Sequence, residues 1–485
     1  MIKLSGISLR YSKIIFENIE LLLGKNEVVG LVGGNGTGKS TLFKIIQKEV
    51  VPDLGKLEIS KGEKIAYLPQ EFQFPKEVLV GEIFESLVEN HTSEIYKIEI
   101  ILDTIGANDI DWYLEAEKLS YGQKMKVYLT KLLIQNPTML LMDEPTNHLD
   151  LDAILWLERF IQNFKGSVFV ISHDRTFLNN ITNRIVEIDE HKLNSFSGNY
   201  DDYILAKQKW VEDRERSLFL QEKKVEKFEK MISNIKLEKA SEALGRRLRA
   251  VKSRMEREVN QTKVTKYKEK KIKDLVIEGK SHRGKTVLKI TDLEFGYPNA
   301  KKIFDGANLQ IYGNDKIWFQ AQNGRGKSTL VKLITGELIP NSGDIEFGEN
   351  IDWTYFSQDQ SQLKYDYTVE KYFLENTEVT LQQSYGILAK FLFTNLERNT
   401  LIKDLSPGQR ARLIFAVFAQ GKYELLILDE PTNHLDIKSK EVIESALREY
   451  KGALLLISHD RYFVDGLGVS KILQIENKKL VLHTL

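Results

Sequence analysis

The sequence predicts an α/β fold written twice: two tandem domains, 1–200 and 286–485, joined by a long α-helical hairpin over 201–285. Three observations predict it. A series of phrases recurs in one order at nearly constant spacing. Apolar runs in each copy end in glycine-rich or charged residues. Between the copies, apolar positions repeat every seven residues within a basic segment.

The repeated series comes first. NGTGKSTL (35–42) returns as NGRGKSTL (323–330), and YLPQ (67–70) as YFSQ (355–358). LSYGQ (119–123) returns as LSPGQ (405–409), DEPTNHLD (143–150) at 429–436, and ISHDR (171–175) at 457–461. Lys39 and Lys327, like Gln70 and Gln358, are 288 apart; Ser120 and Ser406, Asp143 and Asp429, and His173 and His459 are each 286 apart. Five elements in one order at a nearly fixed offset mean two homologous domains.

Within each copy the local pattern is α/β. EVVGLVG is an apolar run ending in a glycine-rich turn, and STLFKIIQKEV then reads as a helix. TMLLMDE and SVFVISHD are short apolar runs closed by charged residues. Such runs suit parallel strands covered on both faces, with functional residues at their carboxyl ends.

The segment between the copies reads differently. Ile204, Val211, Leu218, Val225 and Ile232 recur every seven residues, joined by Phe228 and Ile235. After a break near Ser241–Gly245, Leu248, Val251 and Met255 continue a 3-4 spacing. Two antiparallel helices of coiled-coil type follow.

Composition limits the rest. The 485 residues are enough for two or three domains. No cysteine is present, which excludes disulfides and cysteine metal sites. No basic-then-apolar leader opens the chain, and no run approaches the roughly 20 apolar residues of a membrane span. A cytoplasmic location without a membrane span is expected. Net charge is zero, yet residues 207–285 hold 25 Lys/Arg against 13 Asp/Glu, an excess of 12. Such a segment suits a polyanionic partner.

GGNGTGKS (33–40) fits G-x-x-x-x-G-K-[ST]. Its backbone N–H groups can close around phosphates at a helix start whose dipole favours anions. Lys39 is placed for the β- and γ-phosphates and Ser40 for Mg²⁺; Gly33, Asn35, Gly36, Gly38 and Thr41 complete the loop. The second copy, AQNGRGKS (321–328), has Ala321 for the first glycine and keeps Asn323, Gly324, Gly326, Lys327 and Ser328, followed by Thr329. An added methyl at the loop's edge should leave ATP binding in place. Asp143 and Glu144, like Asp429 and Glu430, end apolar strands. The first of each pair can hold Mg²⁺ and the second can orient the water that attacks a γ-phosphate.

In this order the P-loop, YLPQ, LSYGQ, DEPTNHLD and ISHDR resemble an ABC-type ATPase domain, over nearly the whole of each half. The resemblance implies that Tyr11 and Tyr297 stack on adenine. It implies that Gln70 and Gln358 sense Mg²⁺ and γ-phosphate, and that His173 and His459 contact the γ-phosphate. It further implies composite sites between the halves. Site one would join Lys39, Ser40, Gln70, Glu144 and His173 to Ser406, Gly408 and Gln409. Site two would join Lys327, Ser328, Gln358, Glu430 and His459 to Ser120, Gly122 and Gln123. The chain is then a monomer whose two halves form an intramolecular ATPase dimer. Tyr121 and Pro407 depart from the glycine commonest at that position in transporters.

Two roles of different class remain. One is a transport ATPase working with separate membrane subunits. The other is a soluble translation factor. DEPTNHLD in both halves and the basic hairpin resemble the ABC-F family, and KASEALGRRLRAVKSRMERE (239–258) resembles the short-tipped hairpins of its ribosome-associated members. The resemblance implies a ribosomal partner, with Lys236, Lys239, Arg246, Arg247, Arg249, Lys252 and Arg254 toward P-site tRNA and rRNA near the E site. The short Gln70-to-Leu119 interval shows no arm insertion, and no basic tail follows VLHTL. An antibiotic-resistance (ribosomal protection) member is a further alternative, against which the short tip weighs.

Overall fold

The computed structural model describes all residues except 73, 89–90, 109, 238–241, 261–275, 281–283, 299–300, 322–323 and 434, and the side chains of 91–94, 236–237, 242–245 and 259–260. The chain forms two compact units. One comprises 1–195 with 272–485, and the other 196–271.

The larger unit holds both copies. In the first, six strands lie in the order Ile65–Leu68, Met139–Asp143, Ser167–Ile171, Val28–Gly33, Arg184–Asp189, Lys192–Ser197. The first five pair in parallel. In the second copy the order is Trp353–Phe356, Leu425–Asp429, Ala453–Ile457, Lys316–Phe319, Lys471–Glu476, Lys479–Thr484. Strands such as MLLMD and LLILD are buried at every position. No side of such a strand meets water, which is why the sequence runs apolar without alternation. A three-stranded antiparallel sheet accompanies each, centred on Ile2–Arg10 and on Thr286–Phe295. Strand Glu278–Gly279 pairs with Lys422–Tyr423, and Ile277 lies in the second copy's core, so that copy recruits residues just after the linker helices.

The strand order places functional ends together. Val28–Gly33 lies between two parallel neighbours, and its carboxyl end opens into the P-loop and helix Lys39–Ile46. Met139–Asp143 and Ser167–Ile171 end on the same edge and deliver Asp143, Glu144 and His173. The second copy does the same with Asp429, Glu430 and His459.

The smaller unit contains helix Tyr200–Leu237, 38 residues, and helix Glu242–Asn260, 19 residues. The first is about 57 Å long at 1.5 Å per residue. Val211, Phe228 and Ile235 are buried, and Ile204, Leu218, Val225 and Ile232 partly so. Leu248, Val251 and Met255 are partly buried on the second helix. Lys224 and Lys227 act on Glu258 across the pair, as antiparallel packing requires. No helix among the described residues is long and apolar enough to cross a membrane.

Candidate functional site

Each P-loop turns because of one glycine. Gly38 caps helix Lys39–Ile46 at φ 103° and Gly326 caps Lys327–Ile334 at φ 104°. A Cβ on Gly38 would stand 2.5 Å from Ile15 Cγ2, and one on Gly326 2.5 Å from Ile303 Cγ2. Both the dihedral and the crowding demand glycine. Ala321 is tolerated for a local reason. A Cβ on Gly33 would meet Thr37 Oγ1 at 2.9 Å, but in the second copy Arg325 takes the place of Thr37.

The acidic pair is held by the sheet. Glu144 has φ 48° and Glu430 φ 47°, unusual for side chains with a Cβ. The cost is met by fixed contacts. Glu144 N–H donates to Ile171 O at 2.9 Å, and its Oε2 accepts His173 N–H at 3.2 Å. Glu430 repeats this with Ile457 at 2.9 Å and His459 at 3.4 Å. His173 Nε2 lies 3.4 Å from Glu144 Oε1, and His459 Nε2 3.3 Å from Glu430 Oε1. Among the described residues, Glu144 Oε1 and Glu430 Oε1 have no hydrogen-bond donor. Backbone strain at a residue whose buried carboxylate keeps an oxygen without a hydrogen bond is characteristic of reacting groups.

Burial sets the electrostatics. It pushes the Glu144 and Glu430 carboxyls up to about 7, against the pull of Lys39 and Lys327. It raises Asp143, and Asp429 to about 6. It lowers Lys39 and Lys327, and takes His173 well below the usual histidine range and His459 to about 4. A bound cation and polyphosphate would reorganise all these charges.

The two sites open on one cavity of about 830 Å³. From the first copy it collects Tyr11, Asn35, Gly36, Gly38, Lys39, Ser40, Thr41, Gln70, Asp143, Glu144 and His173. From the second it collects Gly324, Lys327, Ser328, Gln358, Asp429, Glu430 and His459. Tyr297 and Thr329 lie beside each other, their hydroxyls 3.4 Å apart. Gly33 O instead accepts Lys39 Nζ at 2.8 Å. Asn323 lies outside the described residues.

The halves meet through the end of each DEPTNHLD. Asp436 accepts Asn35 N–H at 3.2 Å, and its charge reaches Lys39. Asp150 acts in turn on Lys327 and His459. Each P-loop thus faces the other copy. Buried ion pairs flank this contact: Arg175 with Glu444 at 2.8 Å, and Arg461 with Glu158.

The LSxGQ residues stand apart from the cavity. Ser120, Gly122, Gln123, Ser406, Gly408 and Gln409 do not line it, and only Pro407 reaches it. The serines are engaged as helix caps: Ser120 accepts Gln123 N–H, and Ser406 accepts Gln409 N–H. The glutamines return the bond, completing capping boxes. The two departures have structural partners. Tyr121 donates to Gln70 O at 3.0 Å and packs on Phe72 and His148. Pro407 sits at the helix start, its carbonyl accepting from Gln360 at 3.2 Å.

Comparison with known proteins agrees with this geometry. The family model described as ABC transporter matches 16–147 and 304–433, and a second of the same description matches 186–274. ATP-binding protein Uup of Buchnera aphidicola (subspecies Schizaphis graminum) is 34% identical over 96% of this chain and 79% of its own. ABC transporter F family member 5 of Arabidopsis thaliana is 32% identical over 98% of this chain and 75% of its own. The chain belongs to the ABC-F family. An archaeal ribosome recycling factor, aABCE1, solved with the stalk protein aP1, shares the fold. Its TM-score is 0.64, at 20% identity over 99% of this chain and 90% of that one.

Two contacts between the halves of this ABC-F chain escape motif reading. Asp436 was present in the repeated phrase, which signals importance without saying which P-loop it faces. Lys440, which also lines the cavity, carries no motif signal, because its counterpart is Ile154. On the hairpin, Arg246, Arg247, Arg249, Lys252 and Arg254 are exposed. Lys239 and the side chain of Lys236 lie outside the described residues.

Proposed function

We propose that this ABC-F chain hydrolyses two ATP molecules between its halves and uses the cycle to act on the ribosome. The observation that carries the ATPase reading is that Glu144 and Glu430, each on a strained backbone and with one buried carboxylate oxygen that accepts no hydrogen bond, stand beside a P-loop lysine and the histidine of ISHDR. The residues fit Mg²⁺ and ATP. Two P-loop helix starts offer backbone donors, and each acidic pair lies beside its own P-loop lysine, with Asp143 hydrogen-bonded to Ser40. Ser40, Gln70 and Asp143, with Ser328, Gln358 and Asp429, would hold Mg²⁺, which offsets phosphate charge when bound. Tyr11 and Tyr297 would carry adenine.

Glu144 and Glu430 would orient the attacking water and take its proton, with His173 and His459 fixing the γ-phosphate end. Phosphate binding would draw the LSxGQ segments in: Ser406, Gly408 and Gln409 toward Lys39, and Ser120, Gly122 and Gln123 toward Lys327.

The ribosomal part rests on the hairpin. Six exposed cations crowd helix Glu242–Asn260, and the linker as a whole carries the chain's positive excess. P-site tRNA and rRNA near the E site supply a matching polyanion, bound through phosphates more than bases. A monomer in the cytoplasm completes the reading.

The test uses Glu144→Gln with Glu430→Gln, which keeps shape and removes the charge, lowering turnover by about 10²–10⁴-fold. This double variant should co-sediment with 70S ribosomes in ATP and dissociate steeply with salt. Reversing Arg246, Arg247 and Arg249 to Glu should abolish co-sedimentation and spare basal ATP hydrolysis. Recovery with a membrane protein instead, indifferent to hairpin charge, would favour a transport ATPase.

A further inference from the structure

The two copies repeat their motifs almost letter for letter, yet a buried lysine stands on one side only. Lys440, in helix Ile437–Arg448, is 6% exposed. The position 286 residues earlier is Ile154, equally buried and also lining the cavity. An isoleucine suffices there, so packing alone does not require a charge. Burying an ammonium is costly unless its donors are used.

Its donors are used across the halves. Lys440 Nζ donates to Asp460 Oδ2 of its own half at 2.8 Å. It also donates to the carbonyl of His173, in the other half, at 2.9 Å. Asp460 is itself fixed, capping helix Arg461–Gly466 through Phe463 N–H at 3.0 Å. The lysine is therefore anchored at home and presented to the neighbour's switch residue.

His173 is thereby held through both of its backbone polar groups. Its N–H binds Glu144 and its carbonyl binds Lys440. The second hold exists only while the halves are together. Site two has no equivalent, since Ile154 cannot donate. The side chains differ accordingly. Lys327 Nζ donates to Ala321 O at 2.6 Å as Lys39 Nζ donates to Gly33 O at 2.8 Å, but Lys327 Nζ also lies 3.0 Å from His459 Nε2.

We infer that Lys440 is a positioning residue acting in trans on site one: it fixes His173, and through it Glu144, only while the halves are in contact. Hydrolysis in site one is then tied to that contact by a bond that site two lacks, and the two ATP sites are unequal. Misplacement of a reacting group by about 1 Å can cost about 10²-fold in rate.

This inference rests on the ATPase reading, and the experiment separates the two. Single-turnover ATP hydrolysis is measured in Glu430→Gln, where only site one retains its glutamate, and in Glu144→Gln, where only site two does. Lys440→Ile, the residue of the other copy, should lower kcat about 10–100-fold in the first background with KM nearly unchanged. In the second background it should change kcat less than twofold. Lys440→Arg, which keeps a charged donor, should recover most of the loss. Lys440→Met, which keeps the stem, replaces the isoleucine variant where that does not fold. An equal loss in both backgrounds would reduce Lys440 to interface packing, and no loss in site one would overturn the inference. A wild type that hydrolyses ATP in neither site would remove the ATPase reading and this inference together.

Discussion

The carboxylate of Asp436, in the second half, accepts the backbone N–H of Asn35, in the P-loop of the first, at 3.2 Å. A charged acceptor on a P-loop donor joins the halves. The same carboxylate caps helix Ile437–Arg448 by accepting Ser439 N–H at 2.8 Å. Asp436→Asn keeps the cap and removes the charge. The contact should weaken by about 1–3 kcal/mol. Spin labels on the two halves should then report longer, broader distances in the nucleotide-free variant, with its thermal midpoint nearly unchanged. An unchanged distance distribution would mean that Asp436 does not hold the halves.

Gly38→Ala attacks the phosphate cradle directly. A methyl there is forced into Ile15 and Phe16 at a φ that favours glycine. The loop must open, and its N–H groups lose their common focus. ATP affinity at that site should fall at least about tenfold, as the loss of one or two charge-assisted hydrogen bonds implies. Titration with a fluorescent ATP analogue measures it. Ala321→Gly, by contrast, should leave affinity at the second site within about twofold, since it removes a single partly buried methyl at the edge of the loop.

Arg175 and Glu444 form a buried cross-half pair, with the Arg175 guanidinium 4.0 Å from the Tyr462 ring centre. Removing one partner strands the other's charge in the interface. Glu444→Met should therefore destabilise by about 3–5 kcal/mol, and Arg175→Met with Glu444→Met together by much less than the sum of the single changes. A double-mutant cycle by denaturant unfolding reads this coupling.

What was legible in the sequence is what local chemistry demands. The P-loop glycines answer to dihedral angles within four residues, so the motif names its own geometry. The seven-residue repeat through Ile204, Val211, Leu218, Val225 and Ile232 marks positions that are all at least half-covered, because a helix shows its period on its surface. What was not legible arises between copies. Nothing near Asp436 says that it faces Asn35, 401 residues away. Comparison of the repeats leads away from Lys440, because its partner position is apolar. The LSxGQ serines read as phosphate ligands, whereas here their hydroxyls cap their own helices, a local bond that a composite site would have to exchange.

Asp174 supplies a prediction in pH. It caps helix Arg175–Ile181, accepting Phe177 N–H at 2.9 Å, and it faces Asp460 across the halves. Burial, and then the charge of Asp460, push its carboxyl up to about 6, against the pull of Lys440 and Arg461. Asp460 goes the other way: burial opposes it, but Lys440 and Arg175 hold it below the usual aspartate range. The pair therefore keeps its proton on Asp174. An unfolded aspartate titrates near 3.9, so between about 4 and 6 the folded chain binds the extra proton. Stability attributable to Asp174 thus falls as pH rises through that window, and above it the ionised Asp174 is a net cost. Asp174→Asn keeps the capping acceptor and cannot ionise. Its thermal midpoint should exceed wild type by a few degrees at pH 8, and the gain should shrink toward zero at pH 4. Asp460→Asn should do the opposite at pH 8, leaving Lys440 without its carboxylate partner and lowering the midpoint. A gain for Asp174→Asn that is equal at both pH values would place its effect in packing rather than in the proton.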